Sequence, residues 1–323
     1  MDLSIFFVGT GGSIPTARRG LPAILVRRGG DRILFDCGEG TQRQLVSSVG
    51  LADLTDIFLT HFHADHWLGL PGMLKTFDLR GRDRPLTIHG PAGARALLAL
   101  VLRMAGNTGF ELGAVELEPG DVVERDGYKI APVPVSHRGP ALAYVLYEDE
   151  RRGVFDPEAA ERLGLVPGPE FGRVMRGETV RGVTPEQVMG PNRPGRKLLL
   201  SGDTRPCEAL RIAAHGADVL VHEATFADEE RERAAQNGHS TAKQAATIAR
   251  EAEVRLLALN HTSTRHPLGQ LRDEARAVFP HTVLPRDFDT IDIPLPERGE
   301  PGLIRWDERL AAEHAEAEPA STP

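Results

Sequence analysis

The chain has 323 residues, 41% hydrophobic and 26% charged, with a net charge of −8 at pH 7. That balance suits a globular protein with a sizeable core, and it excludes binding to nucleic acid through overall charge, leaving only a local basic patch for that purpose. No apolar run of about 18 residues occurs, which excludes a membrane-spanning helix, and the two cysteines, Cys37 and Cys207, form no disulfide framework and fit a reducing cytoplasm.

The opening stretch MDLSIFFVGTGG has an acid at position 2 and no basic segment, so it reads as a first strand rather than a secretion signal. Residues 3–8, 23–27 and 32–36 are β-rich runs separated by Gly and Pro, the pattern of a small antiparallel meander. A short helix is expected over 40–49, a strand over 56–60, a helix over 67–79, a strand over 86–89 and an Ala/Leu-rich helix over 93–104. Further strands lead to His137 and cover 142–147. From 148 to 196 the chain is rich in Gly, Pro and Arg and lacks apolar periodicity, a length that marks a functional or disordered segment. Strands at 197–201, 218–222 and 255–260 then alternate with helices at 205–214, 227–237, 240–252 and 268–278. Alternation at this spacing predicts helices layered on sheets. The tail after about 297 is acidic and Ala/Glu/Pro-rich, and is expected to fray.

The strand at 56–60 runs straight into LTHFHADHWLGLPG, where three histidines and an aspartate fall within residues 61–66. Imidazole and carboxylate are the common ligands of zinc. In extended backbone His61 and His63 point to one side, and Asp65 and His66 follow one turn later, so one segment can feed two adjacent metals. The bland alternative is a solvated polar loop. The remaining donors must come from other strand ends, and candidates stand there: His137 after APVPVS, Asp203 in LLLSGDT and His261 in LLALNH.

His61-x-His63-x-Asp65-His66, with His137, Asp203 and His261 downstream, resembles the metallo-β-lactamase superfamily. The resemblance implies an α/β fold, an αβ/βα sandwich of two facing β-sheets with outer helices and metals at one edge. FDCGEGTQRQL (35–45), SGDTRPC (201–207), HEATF (222–226) and GHSTAKQAA (238–246) are similar to the ribonuclease Z family, over residues 5 to about 285. That similarity implies a zinc-dependent endoribonuclease that removes the 3′ trailer from precursor tRNA and leaves a 3′-hydroxyl. It implies two Zn2+ per subunit: His61, His63, His137 and Asp203 on one, and Asp65, His66, His261 and Asp203 on the other. Asp65 would also accept a proton from water, His239 would donate one to the departing ribose oxygen, and Glu223 would orient and charge His239. The alternative for Glu223 and His239 is a buried polar contact tying a strand to a helix start, and the acid–base role is preferred because tuned carboxylate–imidazole pairs recur in such devices. Asp36 is expected to orient a ligand histidine, and His222 to hydrogen-bond one from behind.

By the same resemblance, a catalytic domain spans 1–285 and carries 148–196 as an inserted flexible arm that grips tRNA. Arg173, Arg176 and Arg181 against Glu178 would make its tip positive and suited to phosphate. Residues 286–323 would be an acidic C-terminal extension, frayed toward its end. The family further implies a cytoplasmic homodimer with no membrane and no organic cofactor. Gly20, where the family often has asparagine, and NHTSTRH, where members commonly show THFSSRY, depart from its pattern without removing a donor. Two rival readings share this scaffold. A small-molecule hydrolase, such as an arylsulfatase-like esterase or a cyclic-nucleotide phosphodiesterase, has no use for an arm. A non-enzymatic RNA binder or a redox iron protein should lack donors, or carry a carboxylate in place of His63.

Overall fold

The structure is a computed structural model that describes residues 2–51 and 53–317, with side chains to residue 311. β1 (Leu3–Gly9), β2 (Ala23–Arg28) and β3 (Asp31–Phe35) form the expected antiparallel meander, with a two-residue Gly29-Gly30 turn between the last two. α1 (Thr41–Val46) and β4 (Asp56–Phe58) follow. The helix expected over 67–79 is instead two, α2 (Ala64–Trp67) and α3 (Leu70–Leu79). Gly69 separates them: its N–H bonds the Cys37 carbonyl at 2.9 Å, and a Cβ there would collide with the Gly38 carbonyl. β5 (Leu86–Gly90), α4 (Ala94–Ala105) and β6 (Leu112–Glu116) complete the first half.

A second meander runs through β7 (Val123–Arg125), β8 (Tyr128–Pro134) and β9 (Leu142–Glu148). The segment after it contains α5 (Pro157–Arg162), α6 (Pro169–Met175) and α7 (Pro185–Val188). Then come β10 (Lys197–Leu200), α8 (Glu208–Ala214), β11 (Val219–Glu223), α9 (Arg231–Asn237), α10 (Ala242–Glu251), β12 (Leu256–Asn260), α11 (Leu268–Arg276) and β13 (Thr282–Val283). β14 (Thr290–Asp292), β15 (Gly302–Ile304) and α12 (Trp306–Ala317) end the described chain.

The strands form two sheets, β15-β14-β1-β2-β3-β4-β5-β6 and β13-β12-β11-β10-β9-β8-β7. Ile5, Phe7, Val26, Phe35 and Phe58 of the first face Ile130, Tyr144, Leu198, Leu200 and Val221 of the second in one buried core. The opposite face of the first sheet, with Phe6, Leu25, Leu34 and Ile57, packs on Leu70, Met73 and Leu74 of α3 and Leu97 and Val101 of α4. That of the second sheet, with Val145, Leu199, Leu220 and Leu257, packs on Leu210 of α8, the alanines of α10 and Leu271 of α11. Strands buried on both faces need apolar residues throughout, which is why β11 opens with Val-Leu-Val and β12 with Leu-Leu-Ala-Leu, each turning polar only at its C-terminal end. The four layers are the expected sandwich, and among the described residues no helix is long and apolar enough to cross a membrane.

Two expectations change. β14 pairs antiparallel with β1, Ile291 opposite Ile5, so the sandwich does not stop at 285. Ile291 and Ile293 belong to the central core, and the chain expected to fray after 297 forms β15 and α12, while 318–323 lie outside the described residues. The arm, expected to be flexible, has a core of its own: Ala160, Leu165, Val174, Val180, Val183 and Val188 are buried together, with Phe155 and Phe171 in edge contact.

Candidate metal centre

Every chemically active side chain of the site leaves the sheets at one edge. β4 ends just before His61, β8 before His137, β10 before Asp203 and β12 before His261, while Glu223 closes β11. His63 caps α2, and Asp65 and His66 lie within it. Asp36 and His261 take left-handed backbone conformations, φ 57° and 51°, which cost L-residues roughly 1–3 kcal/mol each. Strain of this kind at two positions of one site marks where packing dictates geometry over local preference.

The hydrogen bonds around the ring nitrogens decide what the site can hold. His66 Nδ1 donates to Asp36 Oδ2 at 2.8 Å, and His137 Nδ1 donates to the Gly238 carbonyl at 2.7 Å. His61 Nδ1 donates to Thr60 Oγ1 at 3.0 Å, since that hydroxyl spends its own proton on Asp36. His261 Nδ1 likewise donates at 2.9 Å to Thr225 Oγ1, whose proton goes to Glu223 Oε2 at 2.6 Å. A ring whose Nδ1 carries the hydrogen presents a lone pair at Nε2. Four such lone pairs are therefore aimed inward. His66 Nε2 and His261 Nε2 face each other at 3.3 Å, and His137 Nε2 faces His63 Nδ1 at 3.1 Å. His61 Nε2 and Asp203 Oδ1 are buried without a hydrogen-bond partner, an arrangement that costs roughly 1–3 kcal/mol per group unless a cation lies among them.

These atoms form overlapping clusters. Donors of His61, His63, His137 and Asp203 lie within 4.8 Å of one another, as do those of Asp65, His66 and His261. Asp203 joins the two: its Oδ2 is 3.7 Å from His61 Nε2 and 3.5 Å from His66 Nε2, and its Oδ1 is 3.3 Å from His261 Nε2. Burial alone would raise the Asp203 carboxyl, but His261 and His66 hold it well below the usual range. Burial would lower His66, yet Asp203 and Asp36 push it well above. A field that favours a proton at that point favours a metal cation equally. Nitrogen and carboxylate donors at this density fit zinc or another divalent ion.

Beside the clusters, His239 Nδ1 lies 2.9 Å from Glu223 Oε1 and 3.7 Å from Asp203 Oδ2. Burial lowers the imidazole, but the Glu223 carboxylate more than reverses this and brings it up to about 9. Glu223 also accepts from the Thr204 N–H at 3.0 Å and the Thr225 N–H at 3.1 Å, which fixes it in place. The Ser13 N–H donates to Asp65 Oδ2 at 2.8 Å. A cleft of about 540 Å³ opens in front, lined by Ser13, His63, Arg138, Arg233, His239 and Arg265.

The seven expected donors meet there with Asp36, Glu223 and His239, whereas the arm residues and His222 do not. Arg173 pairs with Glu178 at 2.7 Å, Arg176 lies 3.8 Å from the same carboxylate, and Arg181 pairs with Glu170 at 2.9 Å. Residues 148–196 contain nine acids and eight bases, so the positive tip expected there is compensated. His222 does not reach a ligand histidine; its Nδ1 bonds the Glu223 carbonyl at 2.7 Å. Arg19, the neighbour of Gly20, donates from Nη1 to Thr262 Oγ1 at 2.6 Å, so the loop that holds the first departure from the family pattern contacts the segment that holds the second. Sequence reasoning missed Thr60, Thr225 and the Gly238 carbonyl. Gly238, φ 87°, is needed because a Cβ would come within 2.9 Å of His137 Nδ1.

The family model of the metallo-beta-lactamase superfamily matches residues 19–231. A ribonuclease Z from Methanosarcina acetivorans is 44% identical over 300 residues, 90% of this chain and 98% of that protein. One from Myxococcus xanthus is 45% identical over 302 residues, 91% of this chain and 98% of its own length. Among solved structures, human tRNase Z, short form, aligns with a TM-score of 0.67 at 27% identity over 90% of this chain and 99% of that one. The metallo-beta-lactamase fold protein YhfI from Bacillus subtilis has the same TM-score of 0.67 at 18% identity, over 90% of this chain and 100% of that one, which speaks to the fold alone.

Proposed function

The chain belongs to the ribonuclease Z family of the metallo-beta-lactamase superfamily, and on that premise we infer that it is a metal-dependent endoribonuclease that removes the 3′ trailer of precursor tRNA. The observation that carries the reading is the pair of donor clusters joined through Asp203 beside the Glu223–His239 pair. His61, His63, His137 and Asp203 would hold one Zn2+, and Asp65, His66, His261 and Asp203 the second. Bound there, the cations supply Lewis acidity toward the scissile phosphate and acidify a water molecule.

The residues of the chain do the rest. Asp65 takes the proton that the attacking water gives up; burial would raise its carboxyl, but the His261 hydrogen bond and His66 keep it well below the usual range and ionised. The water oxygen bonds to phosphorus and the bond to the ribose 3′ oxygen breaks. His239, charged through Glu223, gives its proton to that departing oxygen, so the tRNA keeps a 3′-hydroxyl and the trailer keeps the phosphate. Arg138, Arg233 and Arg265 face the cleft and suit a polyanion. The arm, with Arg173, Arg176 and Arg181, grips the tRNA body by exchanging their glutamate partners for phosphates. The protein works as a cytoplasmic homodimer in which one subunit's arm serves its partner's site.

The test is to incubate the protein with a trailer-bearing precursor tRNA and map the product ends, with bis(p-nitrophenyl) phosphate as a parallel substrate, before and after excising the arm. A single cut leaving a 3′-hydroxyl, lost on excision while the small diester is still hydrolysed, is expected. An uncut precursor, or both activities falling together, would instead support a small-molecule phosphodiesterase.

A further inference from the structure

The arm's own core makes it move as one body, so its pose is set where it joins the protein. Its two stem strands meet at Arg151 and Arg193, which exchange backbone hydrogen bonds of 2.8 and 2.7 Å in an isolated antiparallel bridge. Both guanidinium groups then turn to a single carboxylate on another part of the chain. Arg151 binds Glu297 with two hydrogen bonds, Nη1 to Oε1 at 2.6 Å and Nη2 to Oε2 at 3.0 Å. Arg193 Nη1 adds a third, to Oε1 at 2.8 Å. Among the described residues, the side-chain bonds that leave the arm between Arg151 and Arg193 for the body end on Glu297.

Glu297 sits in the turn Pro296–Arg298, just beyond β14, and β14 lies in the first sheet, whereas the arm grows from β9 and β10 of the second. The contact therefore ties the arm to the opposite sheet. Immediately below it, Arg196 Nη1 donates to the Ile293 carbonyl at 2.7 Å, so the segment 293–297 runs along the arm's root. The Arg151 hydrogen bond pulls the Glu297 carboxyl down to about 2, which leaves it charged throughout the working range of pH. A bidentate guanidinium–carboxylate pair fixes direction as well as distance, and shared between both stem strands it resists rotation of the arm about its root.

We propose that Glu297 is a positioning residue that locks the arm at the angle needed to present tRNA to the metal centre. The inference rests on the reading of the arm as the tRNA grip. A linked binding module contributes only when its geometry permits simultaneous engagement, so releasing the lock should weaken binding of the long substrate and leave the chemistry alone.

The test uses the full-length protein with Glu297→Gln and with Arg151→Gln/Arg193→Gln. Hydrogen–deuterium exchange in the stem at 151–155 and 189–193 should quicken by roughly ten-fold. KM for precursor tRNA should rise by roughly three- to ten-fold with little change in kcat, and hydrolysis of bis(p-nitrophenyl) phosphate should hold. Combining all three substitutions should add nothing further, because each set breaks the same contact. Stem exchange and KM unchanged in Glu297→Gln would overturn the lock. A wild-type protein that cuts no precursor tRNA would overturn the substrate reading, while the exchange measurement would still decide the lock by itself.

Discussion

Thr225 shows how much of the site hangs on one hydroxyl. Its oxygen accepts from His261 Nδ1 and its proton goes to Glu223, so it sets both the tautomer of a proposed metal donor and the carboxylate that charges His239. Groups that orient metal ligands in this way are worth about 10- to 100-fold in metal affinity. Thr225→Val, which keeps the shape and loses the hydroxyl, should weaken binding by that factor in a competition titration against a chelator; unchanged affinity would show that His261 is oriented by something else. Thr225 stands in HEATF, yet nothing in its spacing says which way its hydroxyl points. The inward donors are legible because they sit in a dense motif or directly after apolar strands. Thr60, Thr225 and the Gly238 carbonyl are set by tertiary contacts between segments far apart in sequence, and a backbone carbonyl has no residue type to give it away.

Between elements, the tie that matters most away from the metal centre is Glu148 at the end of β9. It accepts from Arg28 of β2 at 2.9 Å and from Arg196 at 2.7 Å, and so bolts the two sheets together at the arm's root. Burial would raise its carboxyl, but Arg196 and Arg28 hold it below the ordinary 4.5. A carboxyl lowered on folding stabilises the protein above its unfolded value, and that contribution is lost as pH falls through the folded one. Glu148→Gln removes the carboxylate charge from between the buried Arg28 and Arg196 guanidinium groups and should cost about 3 kcal/mol at pH 7, with the gap to wild type narrowing as pH falls below the ordinary 4.5 in denaturant titrations. A constant gap across that range would mean the carboxylate's charge is not what matters. At this scale the strands and helices of the sandwich follow from apolar periodicity, and the misses have physical causes. β14 and β15 are three residues each and carry no period; pairing of β14 with β1, and of β15 with β14, makes them strands. The arm's core is drawn from valines at 174, 180, 183 and 188, spaced by turns rather than by one helix or strand.

Across the whole molecule, net charge misleads and topology informs. A chain of −8 still places Arg138, Arg233 and Arg265 around one cleft, because the edge where strands end collects loops from both halves. Those loops also bring donors from residue 61 to residue 261 to a common point, so the fold itself gathers a local histidine motif into overlapping clusters of donors suited to metal ions. Anomalous diffraction from crystals grown with zinc tests that most directly. Two peaks are predicted, one among His61, His63 and His137 and the other among Asp65, His66 and His261, with Asp203 reaching both; a single peak, or peaks that Asp203 does not bridge, would contradict the account.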